Sequence, residues 1–282
     1  MIDNTALYQF LSGDFLKKIG AFVKRDFQAN SSYKLSFATS FVNIALTVTM
    51  YFFMSKLFNK QFSSLLSSYG GDYFAYVIIG IAFYDYINIA QGGVPGSITG
   101  SQASGTFEAL LVTNTSLPTI VFSSNLYSFL WTSIRVGSFL LVGALGFDLN
   151  LGNANYSGAL IILALTMMVF SCFGLITASF ITVLKRGDPF TWVYNTLSWL
   201  LGGLYFPVTV LPGWLHPIAK LLPITYALDG MRLALLKGYP TYKLIGHINA
   251  LIIFFAVFLP IGTIGFRYAL KRAKQDGTLI QY

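Results

Sequence analysis

The chain contains several runs of about 20 mostly apolar residues, the length that a helix needs to cross about 30 Å of hydrocarbon. Window hydropathy places six such runs, at residues 35–57, 73–90, 117–146, 159–184, 189–210 and 248–268. Only 10% of the residues are charged, whereas 55% are hydrophobic. The sequence therefore predicts an all-α membrane protein with six transmembrane helices.

The basic residues predict the orientation of these spans. The chain has 18 Lys and Arg against 10 Asp and Glu, and cytoplasmic loops of membrane proteins carry an excess of Lys and Arg. An even number of spans places both termini on one side. The larger group of basic residues then lies in the cytoplasm, which predicts a multi-pass cell-membrane protein with cytoplasmic termini and no role in binding nucleic acid. That group is Lys17, Lys18, Lys24, Arg25, Lys34, Lys185, Arg186, Arg267, Lys271, Arg272 and Lys274.

Residues 1–34 precede the first span and are amphipathic. Apolar residues recur at helical spacing while lysines and arginines occupy the other faces, and the apolar set is Phe15, Ile19, Phe22, Val23 and Phe27. This pattern predicts a helix in the cytoplasmic interface, with its cations at the headgroups. A mitochondrial presequence is the alternative, and Asp14 and Asp26 count against it.

The loop between the second and third spans, residues 91–118, is rich in glycine and carries one charged residue, Glu108. Residues 106–112 are good helix formers, Ser104 or Thr106 can cap a helix, and Glu108 lies near its positive end. We expect a short cytoplasmic helix here, with an ordinary connecting turn as the alternative.

A proline-punctuated, aromatic segment lies between the last two spans. Prolines at 207, 212, 217 and 223 each remove a backbone donor, which predicts several short helices rather than one. Irregular backbone at membrane depth survives only beside protein or a watery cavity, so the segment 207–238 is expected to be re-entrant and to border a translocation path. The residues assigned to it are Phe206, Pro207, Pro212, Trp214, Pro223, Tyr226, Asp229 and Arg232.

Two charges fall inside predicted spans, Asp85 in the second and Arg135 in the third. Counted from opposite ends of their spans, their depths differ by about 15 Å, so no direct pair is expected and each is given a structural role. Asp229 and Arg232 are three residues apart and can form a local ion pair. His216 and His247 are expected to be isolated, so no metal site is predicted.

Aromatic residues are abundant, with 26 Phe and 17 Tyr. Aromatic side chains gather at membrane interfaces and in the cores between helices, which is the first interpretation here. The alternative is a path lined by rings for a sugar chain, a lipid or an aromatic drug.

Two motifs carry a resemblance to a family. The stretch Gly105, Thr106, Phe107, Glu108, Ala109, Leu110, Leu111, Val112 and the block from Phe206 to Arg232 resemble the membrane subunit of an ABC-2 type transporter. The resemblance implies a six-helix ABC-2 transmembrane domain over 35–282, with a coupling helix in 101–116 that docks on an ATPase subunit. It also implies that residues 1–34 hold the connecting helix. Ser101–Ser104 lacks the charged pair that many relatives carry before this motif.

The resemblance also implies an energy source on another chain. No G-x-x-x-x-G-K-[ST] motif occurs in the sequence, so ATP and Mg are expected on the partner and no cofactor on this chain. The implied assembly is a homodimer of this chain with two ATP-binding subunits. Its implied activity is export of an amphipathic or lipid-linked substrate, which is a drug, a lipid or a polysaccharide. This chain itself is not expected to be an enzyme.

Two other classes remain as alternatives. An ion-coupled secondary carrier needs coupling-ion residues at the midplane and internal repeats; Asp85 is the one good candidate and no repeat is evident. An intramembrane enzyme needs convergent catalytic groups inside the spans, and the sequence shows no such set.

Overall fold

A computed structural model of the chain describes residues 20, 24, 27, 28, 34–103, 117–184 and 189–275. Within these residues the chain is helical and contains no strand. The α-helices are α1 Lys34–Phe62, α2 Tyr73–Ala103, α3 Leu117–Gly146, α4 Tyr156–Leu184, α5 Pro189–Leu201, α6 His216–Lys220, α7 Pro223–Lys237 and α8 Ile245–Gln275. Short 3-10 helices cover Ser67–Tyr69, Val208–Val210, Gly213–Leu215 and Thr241–Leu244.

Five stretches of the described chain are helical, long and apolar enough to cross a membrane, and they lie in α1, α2, α3, α4 and the chain from Thr241 to Ala269. The predicted all-α membrane fold is confirmed. The predicted fifth span, 189–210, is not one helix, because α5 ends at Leu201 after 13 residues, about 20 Å. Gly203 follows with φ +78°, a backbone conformation that ends a helix.

Helix α2 lies at the centre of the bundle. It contacts α1, α3, α4 and α7, and 67% of its most apolar stretch is buried, more than in any other candidate span of the described chain. The sequence predicts a loop from residue 91, but α2 continues to Ala103 with Pro95 inside it. Glycine and proline persist in membrane helices because neighbouring helices cover the weakened backbone.

The two ends of the bundle are named after the ends of α2. The Tyr73 end holds the start of α2, where Asp72 Oδ1 accepts a hydrogen bond from Phe74 N at 3.0 Å and caps the helix. At this end the Gly143 backbone also packs near Leu149 and Phe74. The Ala103 end holds the end of α2 and the end of α4 at Leu184.

The segment after α5 contains the short helices that its prolines predict. Pro217 and Pro223 occupy the first turns of α6 and α7, where a missing N–H costs nothing. Helix α7 ends at Gly238 with φ +60°. A Cβ there would lie 2.0 Å from the Asn153 carbonyl, so the close approach of this loop needs glycine.

The outer faces of the long helices are apolar. Large side chains more than 40% exposed are spread along α1, α3, α4 and α8, as expected where a helix meets lipid. Examples are Leu46, Phe53, Ile134, Leu141, Leu160, Ile253 and Ile264.

Candidate functional site

A fully buried arginine joins three elements at the Tyr73 end of the bundle. Arg232 lies on α7 and is 1% exposed. Its Nε donates to the Tyr76 carbonyl on α2 at 2.9 Å. Its Nη1 donates to the Gly203 carbonyl at 2.7 Å and its Nη2 to the Leu204 carbonyl at 2.9 Å, both in the turn after α5. One guanidinium therefore holds α7, α2 and the end of α5 together.

An aromatic ring, a glycine and three carbonyl groups surround the guanidinium of Arg232. Its guanidinium carbon lies 3.5 Å from the centroid of the Tyr76 ring, a cation–π contact, and Tyr76 Oη donates to the Gly203 carbonyl at 2.7 Å. A Cβ at Gly80 would lie 2.3 Å from Arg232 Nη2. The three carbonyls are partial negative charges, two of them just beyond the carboxyl end of α5, where a cation is favoured.

A second polar group lies on the same helix. Asp229 Oδ2 is 2.7 Å from His247 Nε2 on α8, and Asp229 Oδ1 accepts a hydrogen bond from the Tyr69 hydroxyl. A Cβ at Gly230 would lie 3.1 Å from the His247 Cβ, so glycine permits the close approach of α7 and α8. Asp229 thus ties α7 to α8 and to the turn before α2.

These contacts correct two predictions. Asp229 and Arg232 do not form the local ion pair, because Arg232 donates to backbone carbonyls and Asp229 pairs with His247. His247 is not isolated from carboxylates, since the packing of α7 against α8 brings it to Asp229. Spacing along the chain could not reveal either contact, because both join residues on different helices.

The charge state of this group follows from its surroundings. Burial raises the pKa of the Asp229 carboxyl, but the hydrogen bonds from His247 and Tyr69, together with electrostatic attraction to His247 and Arg232, outweigh burial and hold that pKa below its usual range. Burial, together with the charge of Asp229, raises the pKa of the Tyr69 hydroxyl. At neutral pH Asp229 is therefore an acceptor and Tyr69 remains a donor.

Asp85 and Arg135 form an ion pair within the bundle, with Arg135 Nη2 3.0 Å from Asp85 Oδ2. The prediction that they do not pair is wrong. Asp85 lies 12 residues from Tyr73, and Arg135 lies 11 residues from Gly146 at the same end of the bundle, so both depths are about 17 Å. Helix α3 has 30 residues, which is longer than the hydrocarbon is thick. The depth of Arg135 counted from Leu117 was therefore too large, because the first turns of α3 lie outside the hydrocarbon.

The other residues assigned to the path are dispersed. Pro207 and Pro223 are buried, Phe206 and Tyr226 are partly buried, and Pro212 is exposed. Trp214 is 72% exposed. The structure thus places Asp229 and Arg232 in polar contacts with neighbouring elements and leaves Trp214 on the surface.

Several aromatic side chains pack on one another beside this site. The ring of Tyr205 stacks on Tyr51 with centroids 6.1 Å apart, and its hydroxyl accepts a hydrogen bond from Trp199 Nε1 at 3.1 Å. These contacts join α1, α5 and the turn after α5. Tyr51 and Tyr205 are partly buried and Trp199 is 53% exposed, so both interpretations of the aromatic residues stay predictions.

The residues assigned to ATPase coupling, Gly105 to Val112, lie outside the described residues, and so do Phe15, Ile19, Phe22 and Val23. Phe27 is described and is 54% exposed. Their roles stay predictions. Among the described residues, no three His, Cys, Asp or Glu side chains are grouped as metal ligands.

The site also contains four residues that were not assigned to it from the sequence, namely Tyr69, Tyr76, Gly80 and Gly203. The signals for them are weak: two tyrosines near the start of a span, and glycines that are common in membrane helices. Only their contacts with Asp229 and Arg232 give them a role.

Comparison with known proteins identifies the family. The sequence model of the ABC-2 type transporter family matches residues 17–236. The chain is 27% identical over 225 residues to the inner membrane transport permease YadH of Escherichia coli K12, covering 76% of this chain and 81% of that protein.

A second relative is the linearmycin resistance permease protein LnrN of Bacillus subtilis, 22% identical over 177 residues. That match covers 63% of this chain and 46% of the relative, so the chain spans about half of its length. Permeases of this family work with ATP-binding subunits and are not themselves enzymes. The chain is a multi-pass membrane protein that belongs to the ABC-2 type transporter family, as a permease component of ABC transporters.

Proposed function

We propose that this chain is the transmembrane subunit of an ATP-driven exporter that moves an amphipathic or lipid-linked substrate out of the cytoplasm. Family membership supports the transport role. The name of one relative, a linearmycin resistance permease, supports a drug as substrate, with lipid and polysaccharide as the other candidates. The proposed assembly is a homodimer with two ATP-binding subunits, which bind the ATP and Mg.

The observation that carries this proposal is the length and position of α2. Its 31 residues span about 46 Å, more than the roughly 30 Å of hydrocarbon. When the Tyr73 end lies at the outer surface, the Ala103 end projects into the cytoplasm and leads directly into residues 104–116. A push on that segment is therefore applied to the central helix of the bundle.

We place the protein in a bacterial inner membrane. In the proposed orientation both termini and the Ala103 end lie on the cytoplasmic side. Residues 105–112 dock on the ATPase, and the amphipathic segment of residues 1–34 lies beside it in the interface. Closure of the ATPase dimer on ATP moves these segments, and α2 and α5 separate to admit substrate.

Co-purification with a candidate ATP-binding subunit of an ABC transporter tests the proposal. Wild type, Glu108→Lys and a deletion of residues 106–112 are purified in nanodiscs, with the exposed Lys220→Glu as a matched charge-reversal control. The deletion should abolish the complex and Glu108→Lys should weaken it, whereas Lys220→Glu should retain it. Substrate-stimulated ATP hydrolysis by the intact complex then identifies the substrate class.

An ion-coupled carrier is the alternative. It requires a midplane carboxylate that binds the coupling ion, and the structure instead places Asp85 against Arg135. If no ATPase associates with wild type, and Asp85→Asn abolishes ion-dependent uptake in vesicles, the carrier replaces the exporter as the best assignment.

A further inference from the structure

The hydrogen bonds of Arg232 make separation of α2 from α5 costly at the Tyr73 end. The guanidinium is buried and bonds to one carbonyl on α2 and two in the turn after α5. Parting these elements would leave either a buried cation or buried carbonyls without partners, and an unpaired buried charge is strongly destabilising. The Tyr76 hydroxyl adds a second bond between the same two elements.

Away from the Tyr73 end, α5 has no bond to α2 comparable with those of Arg232 in the part of the chain that the structure describes. Among the described residues, α5 makes a few contacts with α4 and with α7 and fewer with α2. Toward the Ala103 end, the Thr191 hydroxyl lies 2.7 Å from that of Thr177 on α4. On the corresponding half of α2, Asn88 and Gly92 are exposed, and a Cβ at Gly92 would meet nothing within 4 Å.

The geometry points to Arg232 as a pivot: we propose that it keeps α2, α7 and the turn after α5 together throughout the transport cycle, so that α2 and α5 separate only toward the Ala103 end. Arg232 is then a positioning residue that touches no substrate. Substrate would enter by the opening between α2 and α5. This inference rests on the proposed export function.

Distances between two pairs of spin labels test the pivot. One pair, Ser68→Cys with Thr209→Cys, is exposed at the Tyr73 end, and the other, Gly92→Cys with Trp192→Cys, is exposed on the other half of α2 and α5. Cys172, the single native cysteine, is replaced by alanine. Labelled chains are diluted with unlabelled ones in nanodiscs with the ATPase, and distances are measured by pulsed EPR with and without ATP.

We expect ATP to change the Gly92–Trp192 distance by about 5 Å or more, the size of a one-turn shift between packed elements. The Ser68–Thr209 distance should change by less than about 2 Å. An equal change in the Ser68–Thr209 pair, in a complex that still hydrolyses ATP, would overturn the pivot and leave the export function intact. No change in either pair, with no ATPase bound, would overturn both.

Variants of the pivot give an independent readout. Arg232→Lys keeps the charge but replaces a planar, forked donor by a single ammonium group, and should broaden the Ser68–Thr209 distances and reduce substrate-stimulated ATPase activity at unchanged ATPase binding. Tyr76→Phe removes one bond only and serves if Arg232→Lys does not fold. If Arg232→Lys folds, or Tyr76→Phe where it does not, and the Ser68–Thr209 distance distribution stays as narrow as in wild type, the pivot is contradicted.

Discussion

Gly80 and Arg232 fit together because the glycine has no side chain: a Cβ at Gly80 would lie 2.3 Å from Arg232 Nη2 and 2.9 Å from the Leu204 carbonyl. Gly80→Ala is therefore expected to destabilise the protein by about 1–3 kcal/mol, the usual cost of overfilling a packed site. The measurement is the thermal unfolding midpoint in detergent.

Gly92→Ala is the matched control on the same helix, since nothing lies within 4 Å of the added Cβ. Alanine is favoured over glycine within a helix, so this variant should be more stable by about 0.5–1 kcal/mol. Equal effects of the two substitutions would contradict the close packing of Gly80 on Arg232.

Removal of one partner from the Asp85–Arg135 pair should destabilise the bundle. Asp85→Asn or Arg135→Gln is expected to cost about 3–5 kcal/mol, the range for removing one partner of a buried ion pair, because both side chains lie about 17 Å from the Tyr73 end, where exposed surface meets lipid rather than water. The double variant should cost less than the sum of the single variants. A double-mutant cycle of unfolding free energies measures the coupling, and strict additivity would contradict a direct interaction.

Asp229 should stabilise the fold only above a certain pH. Its pKa in the folded protein is lowered, so its contribution is complete above the pKa of the unfolded carboxyl, about 3.9. The contribution is lost as the pH falls from there through the folded pKa. The difference in unfolding midpoint between wild type and Asp229→Asn should be present at about pH 5 and shrink below about pH 4. A constant difference at every pH would show that the carboxylate charge is not involved.

Cys172 should not react while the protein is folded. The thiol is free, and the residue is 2% exposed among the side chains of α4, so a water-soluble maleimide has no access to it. Labelling in detergent should be at least about tenfold slower than after denaturation, as followed by mass spectrometry. Rapid labelling of the folded protein would mean that α4 opens locally around Cys172.

The apolar runs predicted the membrane class and most of the long helices, because a bilayer imposes its length and polarity on every span. They were less successful at boundaries. Helix α2 runs past its predicted end, because neighbouring helices support its backbone through the glycines and Pro95. Helix α5 stops short of its predicted end, because Gly203 takes a positive φ that ends the helix. The prolines of the segment after α5 predicted its short helices from their missing N–H groups alone.

The sequence alone thus determined that the chain is a helical membrane protein with a broken segment before its last span, and its motifs identified the family. The tertiary structure decided which polar groups meet. Asp85 with Arg135, Asp229 with His247, and Arg232 with the carbonyls of Tyr76, Gly203 and Leu204 all depend on the relative depth and rotation of different helices. Helical periodicity fixes the face of each residue within its own helix, but the packing between helices sets those depths and rotations.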